Sequence, residues 1–211
     1  MRRFKYLDAP ESEMKGLLAG LRRCDLCGGE ERCFDLTRAI RPAGVNASIG
    51  CVSCLSLGRF GFFHATALGY LEEGGLTWYD DAEAASPPRA FVVDQSGRAS
   101  AVAGRPELGN PVTVPAEALE ELTRTPSFPT WNEVAWPVHC SDFMVYLGPW
   151  APRDVRAAAL ARQCQPREFF GEMTSPEEQG LWADDAEAWA FTFHVFKCPA
   201  CGKFRGAVDL D

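Results

Sequence analysis

Three cysteine pairs of the form Cys-x-x-Cys, at Cys24/Cys27, Cys51/Cys54 and Cys198/Cys201, restrict the folds open to this chain more than any other feature. A two-residue gap lets one tight turn deliver both sulfurs to one ion, and a structural zinc takes four such donors tetrahedrally. Three pairs do not divide into sets of four. The first two pairs, with 23 residues between them, make a complete set if a hairpin brings them together. Four thiolates leave no open coordination position, so that set reads as structural. The last pair must draw its partners from elsewhere.

Cys33, Cys140, Cys164 and a histidine are the candidates. Cys140, in "WPVHCSD", precedes a predicted strand that can lie beside a C-terminal hairpin. The fourth donor is then His139, His194 or the carboxylate of Asp142. Successive side chains on an extended chain point in different directions, so His139 and Cys140 can share an ion only across a bend. The predicted ligands are therefore Cys24, Cys27, Cys51 and Cys54 for one zinc, and His139, Cys140, Cys198 and Cys201 for a second. Cys33 and Cys164 read as plain thiols; Cys164 lies near the end of a helix, where nothing activates it.

The chain has 211 residues, 46% of them hydrophobic, with six Trp and fourteen Phe, enough for a real core. One large domain is expected over 1–211, with a zinc-binding module at 20–60 and a second over 115–211. The opening "MRRFKYLDAPESEMKG" is charged with no apolar run behind it, so no secretory signal is expected. Stretches such as "WAFTFHVF" are far short of the ~20 apolar residues of a membrane helix. A cytoplasmic setting follows, and there nine cysteines favour metal over disulfides.

The formal net charge is −8, moving to about −11 once two zinc ions and seven thiolates are counted. Such a surface repels a phosphate backbone and suits a basic partner.

Coarse patterning predicts an α+β fold: zinc-ribbon-like modules on a mixed antiparallel sheet with a few short helices. Residues 11–23, "ESEMKGLLAGLRR", space their apolar positions as a helix does. A short hairpin is expected around "IRPAGVNASIG" between the first two pairs. "GFFHATALGYL" is strand or helix. "VVDQSGRASAV" reads as a hairpin around Gln95–Gly97. "VPAEALEELTRTP" is a helix opened by Pro115 and ended by Pro126. Residues 142–148 read as a strand and 152–164 as a helix. "WYDDAEAA" (78–85) and "WADDAEAW" (182–189) read as two acidic turns or helix starts. In "WAFTFHVFKC", Trp189, Phe191, Phe193 and Val195 alternate with Ala190, Thr192, His194 and Phe196, a strand apolar on both faces. "KFRGAVDL" returns as its antiparallel partner after the Cys198–Cys201 turn.

"FKYLDAP", "CDLCGG", "CVSCLSLG", "RTPSFPTWNEVAWPVHCSDFMVYLG" and "FKCPACGK" together resemble the CbrC family of bacterial proteins. The blocks follow the family's order and span most of the chain, with residues 60–115 matching poorly. The family typically has Gly after Arg-Thr-Pro and Gln-Gln after the first Trp. Here Ser127 and Asn132-Glu133 stand instead, and the second cysteine pair lacks the family's Pro-Trp, the pattern of a divergent member. The resemblance implies zinc binding and a bacterial cytoplasmic setting. The family label ties it to colicin tolerance.

Several enzyme signatures are missing: no phosphate-cradling glycine loop, no His-Glu-x-x-His helix, no Gly-x-Ser-x-Gly turn. The expected function is a non-enzymatic, zinc-stabilised binding protein whose partner is a protein with a basic face, such as a bacterial toxin domain, in an immunity or tolerance role. A second reading is a zinc-dependent hydrolase or thiol enzyme using an open second zinc site, or Cys140 as nucleophile with His139 and Asp142. A third, nucleic-acid binding, has only Arg22-Arg23 and the Lys197, Lys203, Arg205 group in its support. Trp131 and Trp136 are expected in the core beneath the second zinc, with an interface role as the alternative.

Overall fold

The segment 11–23 is not the helix that its apolar spacing predicts. In the computed structural model only Glu11–Glu13 make a 3-10 turn, and Leu17–Arg23 form strand β1. Gly16 and Gly20 adopt φ of 82° and 69°, left-handed backbone that an α-helix cannot contain and that glycine reaches without steric cost. The structure describes residues 4–39, 45–57, 61–67, 69–72, 75–77, 91–93, 99–101, 114–132, 134–184 and 189–210.

β1 pairs antiparallel with β2 (Glu30–Asp35), its register shifting between Leu17 and Leu21. β2 pairs in turn with β3 (Ile49–Cys51). The hairpin expected between the first two cysteine pairs therefore forms, although residues 40–44 at its turn lie outside the described residues. A short helix, α1 (Val52–Ser56), follows directly. The ambiguous "GFFHATALGYL" is strand: β4 (His64–Thr66), β5 (Gly69–Glu72) and β6 (Gly75–Thr77) make an antiparallel meander. β7 (Phe91–Val93) pairs with β8 (Ala99–Ala101), as the hairpin reading requires, with its turn outside the described residues. The acidic stretch 78–85 and residues 185–188 of its counterpart also lie outside them.

Helix α2 (Ala116–Arg124) starts after Pro115 and stops before Pro126, which disfavours helical backbone in the residue preceding it. The predicted strand 142–148 is divided: β9 (Val138–His139) and β10 (Asp142–Phe143) form a tight hairpin, and β11 (Val145–Pro149) begins after Met144. Helix α3 (Pro152–Ala161) ends before the predicted Cys164, and Gln163 at φ 58° breaks away from it. Helix α4 (Pro166–Met173), opened by a proline, went unpredicted. β12 (Phe191–Lys197) and β13 (Phe204–Leu210) complete the chain. The fold is α+β, its described strands distributed over five small antiparallel sheets.

β12 is the middle strand of the sheet β11–β12–β13, and its alternation sorts two cores. Phe193 and Val195 face α3 and α4, packing with Val155, Phe169, Phe170 and Met173. Phe196 faces the other way, against Trp136, Phe128 and Tyr146. Phe128 stacks on Tyr146 with ring centroids 4.0 Å apart. Each fully buried aromatic of this kind contributes roughly 2–3 kcal/mol relative to exposure. The N-terminal "FKYLDAP" lies along the outer edge of β11: Tyr146 N–H donates to the Tyr6 carbonyl at 2.8 Å, and Asp8 N–H to the Tyr146 carbonyl at 2.8 Å.

The two tryptophans of the central block part company. Trp136 is buried and donates its indole N–H to the Met144 carbonyl at 2.7 Å. Trp131 is 77% exposed, which corrects the expectation that both lie in the core. The 129–132 loop is held down by its backbone, leaving the indole outside. Among the described residues no helix is long and apolar enough to cross a membrane.

Candidate metal centres

Two turns of identical bonding carry the first and last cysteine pairs. At the first, Cys24 N–H donates to the Gly29 carbonyl at 2.8 Å and Gly28 N–H to the Cys24 carbonyl at 2.9 Å. At the last, Cys198 N–H donates to the Lys203 carbonyl at 2.8 Å and Gly202 N–H to the Cys198 carbonyl at 3.0 Å. Gly28 and Gly202 both sit at positive φ, 72° and 74°, so each Cys-x-x-Cys-Gly closes as a knuckle whose last position needs glycine. The middle pair has Leu55 where the others have glycine, and it closes as a helix instead. Cys51 caps α1, its sulfur accepting from Cys54 N–H at 3.4 Å.

The β2–β3 hairpin brings these two kinds of turn together. Cys24 and Cys54 sulfurs are 3.9 Å apart, and Cys27 and Cys51 sulfurs 3.7 Å apart. A zinc bound at about 2.3 Å to four sulfurs requires tetrahedral edges of about 3.8 Å, so the donor set fits the ion. Amides reach inward as well: Cys51 N–H donates to Cys24 Sγ at 3.2 Å and Leu26 N–H at 3.4 Å. Asp25 joins the turns from outside, one carboxylate oxygen accepting from Ser48 N–H at 2.8 Å and Ile49 N–H at 2.9 Å. Sequence spacing had no means of finding this brace, since one aspartate within a knuckle resembles any other.

The second set gathers on the β9–β10 hairpin and the C-terminal knuckle. His139, Cys140, Cys198 and Cys201 place one donor atom each within 4.8 Å of one another. Cys140 and Ser141 occupy the turn with φ of 53° and 58°, the pair of positive values that marks a type I′ hairpin, usually reserved for Asn-Gly. That turn is the bend the adjacent ligands require. His139 Nδ1 lies 3.2 Å from Cys140 Sγ and 3.4 Å from Cys201 Sγ, close to the ~3.6 Å that mixed nitrogen–sulfur edges of a zinc tetrahedron demand. Each set could hold one zinc ion, two in all.

The thiols differ in the proton affinity their surroundings impose. Burial pushes Cys24 upward, but amide hydrogen bonds from Cys51, Cys27 and Leu26 outweigh it and bring the thiol down to about 7. Burial, with the neighbouring sulfurs added, pushes Cys54 up to about 11 and Cys51 upward too. In the second set the Lys203 amide lowers Cys201, while the contact with Cys201 raises Cys140 to about 11. Adjacent sulfurs cannot all ionise without a cation among them, and a divalent ion removes the conflict. The sets also differ in access. Cys24, Cys51 and Cys54 are buried, whereas Cys140 and Cys201 are exposed.

The other candidates lie elsewhere. His194 is buried, its Nδ1 2.9 Å from the Tyr146 hydroxyl. Asp142 accepts from the Tyr6 hydroxyl, the Lys5 ammonium and Phe143 N–H, pinning the hairpin to the N-terminal segment. Cys33 is buried beside the first set with its thiol donating to the Arg22 and Glu31 carbonyls. Cys164 packs against the end of α3, its thiol 3.6 Å from the Ala159 carbonyl. None of the nine cysteines forms a disulfide.

A family model described as "Uncharacterised protein family (UPF0167)" matches residues 1–210. No solved structure matches the chain.

Proposed function

The chain belongs to that family, which is the CbrC family, and we propose from its geometry that it is a zinc-stabilised binding protein rather than an enzyme. The observation that carries this reading is the completeness of both donor sets. Each has four protein donors and each joins segments far apart in sequence: 24–27 with 51–54, and 139–140 with 198–201. The ligands are Cys24, Cys27, Cys51 and Cys54 for one zinc and His139, Cys140, Cys198 and Cys201 for the other. Closed tetrahedra hold a scaffold; a catalytic zinc keeps a position for water. The hydrolase or thiol-enzyme reading needs His139 off the metal, or Asp142 free to act as a base. The imidazole at the fourth corner and the three donors on Asp142 weigh against both.

The partner is a protein with a basic face, and the role is tolerance or immunity toward a toxin domain that acts on nucleic acid. The support is the net charge of −8, since acidic antagonists associate fastest with basic targets, together with the family label. Cells expressing the protein are expected to survive challenge by basic nuclease toxin domains, and purified protein to bind such a domain with affinity that falls as salt rises. Unchanged killing, with no salt-dependent binding across a panel of such domains, overturns the partner. Fewer than two zinc ions per chain by native mass spectrometry overturns the scaffold.

A further inference from the structure

The two donor sets turn different faces to solvent. In the first, Cys24, Cys51 and Cys54 are buried and Cys27 alone is exposed; in the second, Cys140 and Cys201 are both exposed and only Cys198 is buried. The sulfur beside Cys27, that of Cys51 at 3.7 Å, is thus a buried one. Cys140 and Cys201 stand on separate turns, the β9–β10 hairpin and the C-terminal knuckle, with their sulfurs within 4.8 Å of each other. They are a surface dithiol, and the first set has none.

Their turns can yield. A disulfide needs the two sulfurs about 2 Å apart, and Cys140 and Ser141 already sit at φ of 53° and 58°, left-handed backbone that non-glycine residues leave readily. The charge around the pair selects the reagent. Residues 191–208 include no carboxylate, and Lys197, Lys203 and Arg205 are exposed on either side of the knuckle. Asp142, the carboxylate next to the hairpin turn, is paired with the Lys5 ammonium at 2.9 Å. Three thiolates and a neutral imidazole around Zn²⁺ leave the loaded set only one negative charge. On a chain of net charge −8, the described rim of this centre is basic and draws an anion.

We propose that Cys140 and Cys201 are the site at which a small anionic disulfide of the glutathione type oxidises this protein. One thiolate of the pair attacks a sulfur of the small disulfide, forming a mixed disulfide and expelling one thiolate. The other then attacks the protein sulfur of that bond, closing Cys140–Cys201 and expelling the second thiolate. Two protein thiolates lose two electrons, and the small disulfide takes them up as two thiolates. His139 and Cys198 alone are left in the set, too few donors for a structural zinc. The inference rests on the reading of the second set as a zinc centre and makes occupancy of that centre depend on redox state.

The test starts from the full-length chain with its zinc counted by native mass spectrometry. Incubation with glutathione disulfide is expected to remove one zinc per chain, with peptide mapping finding Cys140 joined to Cys201. Dithiothreitol with added zinc should restore the second ion. The cationic disulfide cystamine should act roughly threefold more slowly or worse, and Lys203→Gln should slow the glutathione reaction about twofold without changing the starting zinc content. Cys164→Ser, which leaves both sets whole, should behave as the parent. Loss of both ions, a disulfide that includes Cys24, Cys27 or Cys33, or cystamine acting as fast as glutathione disulfide overturns the proposal. Fewer than two zinc ions before oxidant is added sinks the reading of the centre itself. Two ions that both survive excess glutathione disulfide sink this inference and leave that reading standing.

Discussion

His139 Nδ1 and Cys140 Sγ lie 3.2 Å apart although the two residues are neighbours in the chain. The type I′ turn at Cys140 and Ser141 makes this possible, holding two non-glycine residues at positive φ at a cost of about 1 kcal/mol or more each. Backbone strain of that size persists where something else over-determines it, and a metal shared by His139 and Cys140 would do so. Ser141→Gly is therefore expected to keep both zinc ions and to stabilise the protein by up to about 1 kcal/mol. Cys140→Gly relieves the same strain but removes a donor, so it should hold one zinc. Native mass spectrometry and thermal unfolding of the two variants read both effects. Equal zinc content in the two would contradict the assignment of Cys140.

The two centres should also part in their kinetics. Only Cys27 of the first set's four sulfurs is exposed, whereas Cys140 and Cys201 of the second both are and Cys198 alone is buried, so a chelator approaches the second ion over the larger open face. Zinc transfer to a chromogenic chelator is expected in two phases of comparable amplitude. Cys140→Ser should abolish the fast phase and leave the slow one. A single phase in the parent protein would contradict the difference in access.

The cysteine pairs that cluster in the structure were legible because their signal is local. Cys-x-x-Cys-Gly is a turn, a spacing and a ligand pair at once, and the period of two from Trp189 to Phe196 marks β12 without reference to anything distant. The helix expected at 11–23 failed for a reason outside that window. Met14 and Leu17 pack on the main core and β1 pairs with β2, so tertiary pairing and two left-handed glycines override the helical spacing. Trp131 was misplaced because exposure depends on the carboxylate of Asp209, 78 residues away in sequence, seizing the loop's amides. The division of strand 142–148 reflects the turn at 140–141, which no propensity favours and the donor set requires.

Acid should act through His64 as well as through the metals. Burial pushes its imidazole down to about 4, and its Nε2–H donates to the Thr125 carbonyl at 2.8 Å. A histidine whose folded pKa is depressed takes up a proton more readily when unfolded. Its contribution is thus fully present above the unfolded value near 6.5 and is lost as pH falls from there toward about 4. The loss over that window is on the order of 3 kcal/mol. His64→Gln, whose amide can keep the bond to Thr125, should flatten the fall in urea-unfolding stability between pH 6.5 and 4 while costing some stability at pH 7. An unchanged slope would show that metal release alone governs the acid limb.

Gly206 offers the sharpest test of the sheet that presents the second knuckle. It lies opposite Val195 in the β12–β13 register, and a Cβ there would fall 2.2 Å from Cζ of Phe193. That ring has no room to yield: it packs against Phe170 with centroids 4.8 Å apart and edge-on to Trp189 at 5.7 Å. Gly206→Ala is therefore expected to destabilise by about 1–3 kcal/mol, the range for overpacking a tight core. Phe193→Leu leaves a void of its own, but in the double variant the new methyl enters that void. The two losses should then sum to less than their parts, with a coupling of about 1 kcal/mol or more. Simple additivity would mean that the ring of Phe193 does not lie over Gly206. The strand pairing that brings Cys198 toward His139 would then need a different register.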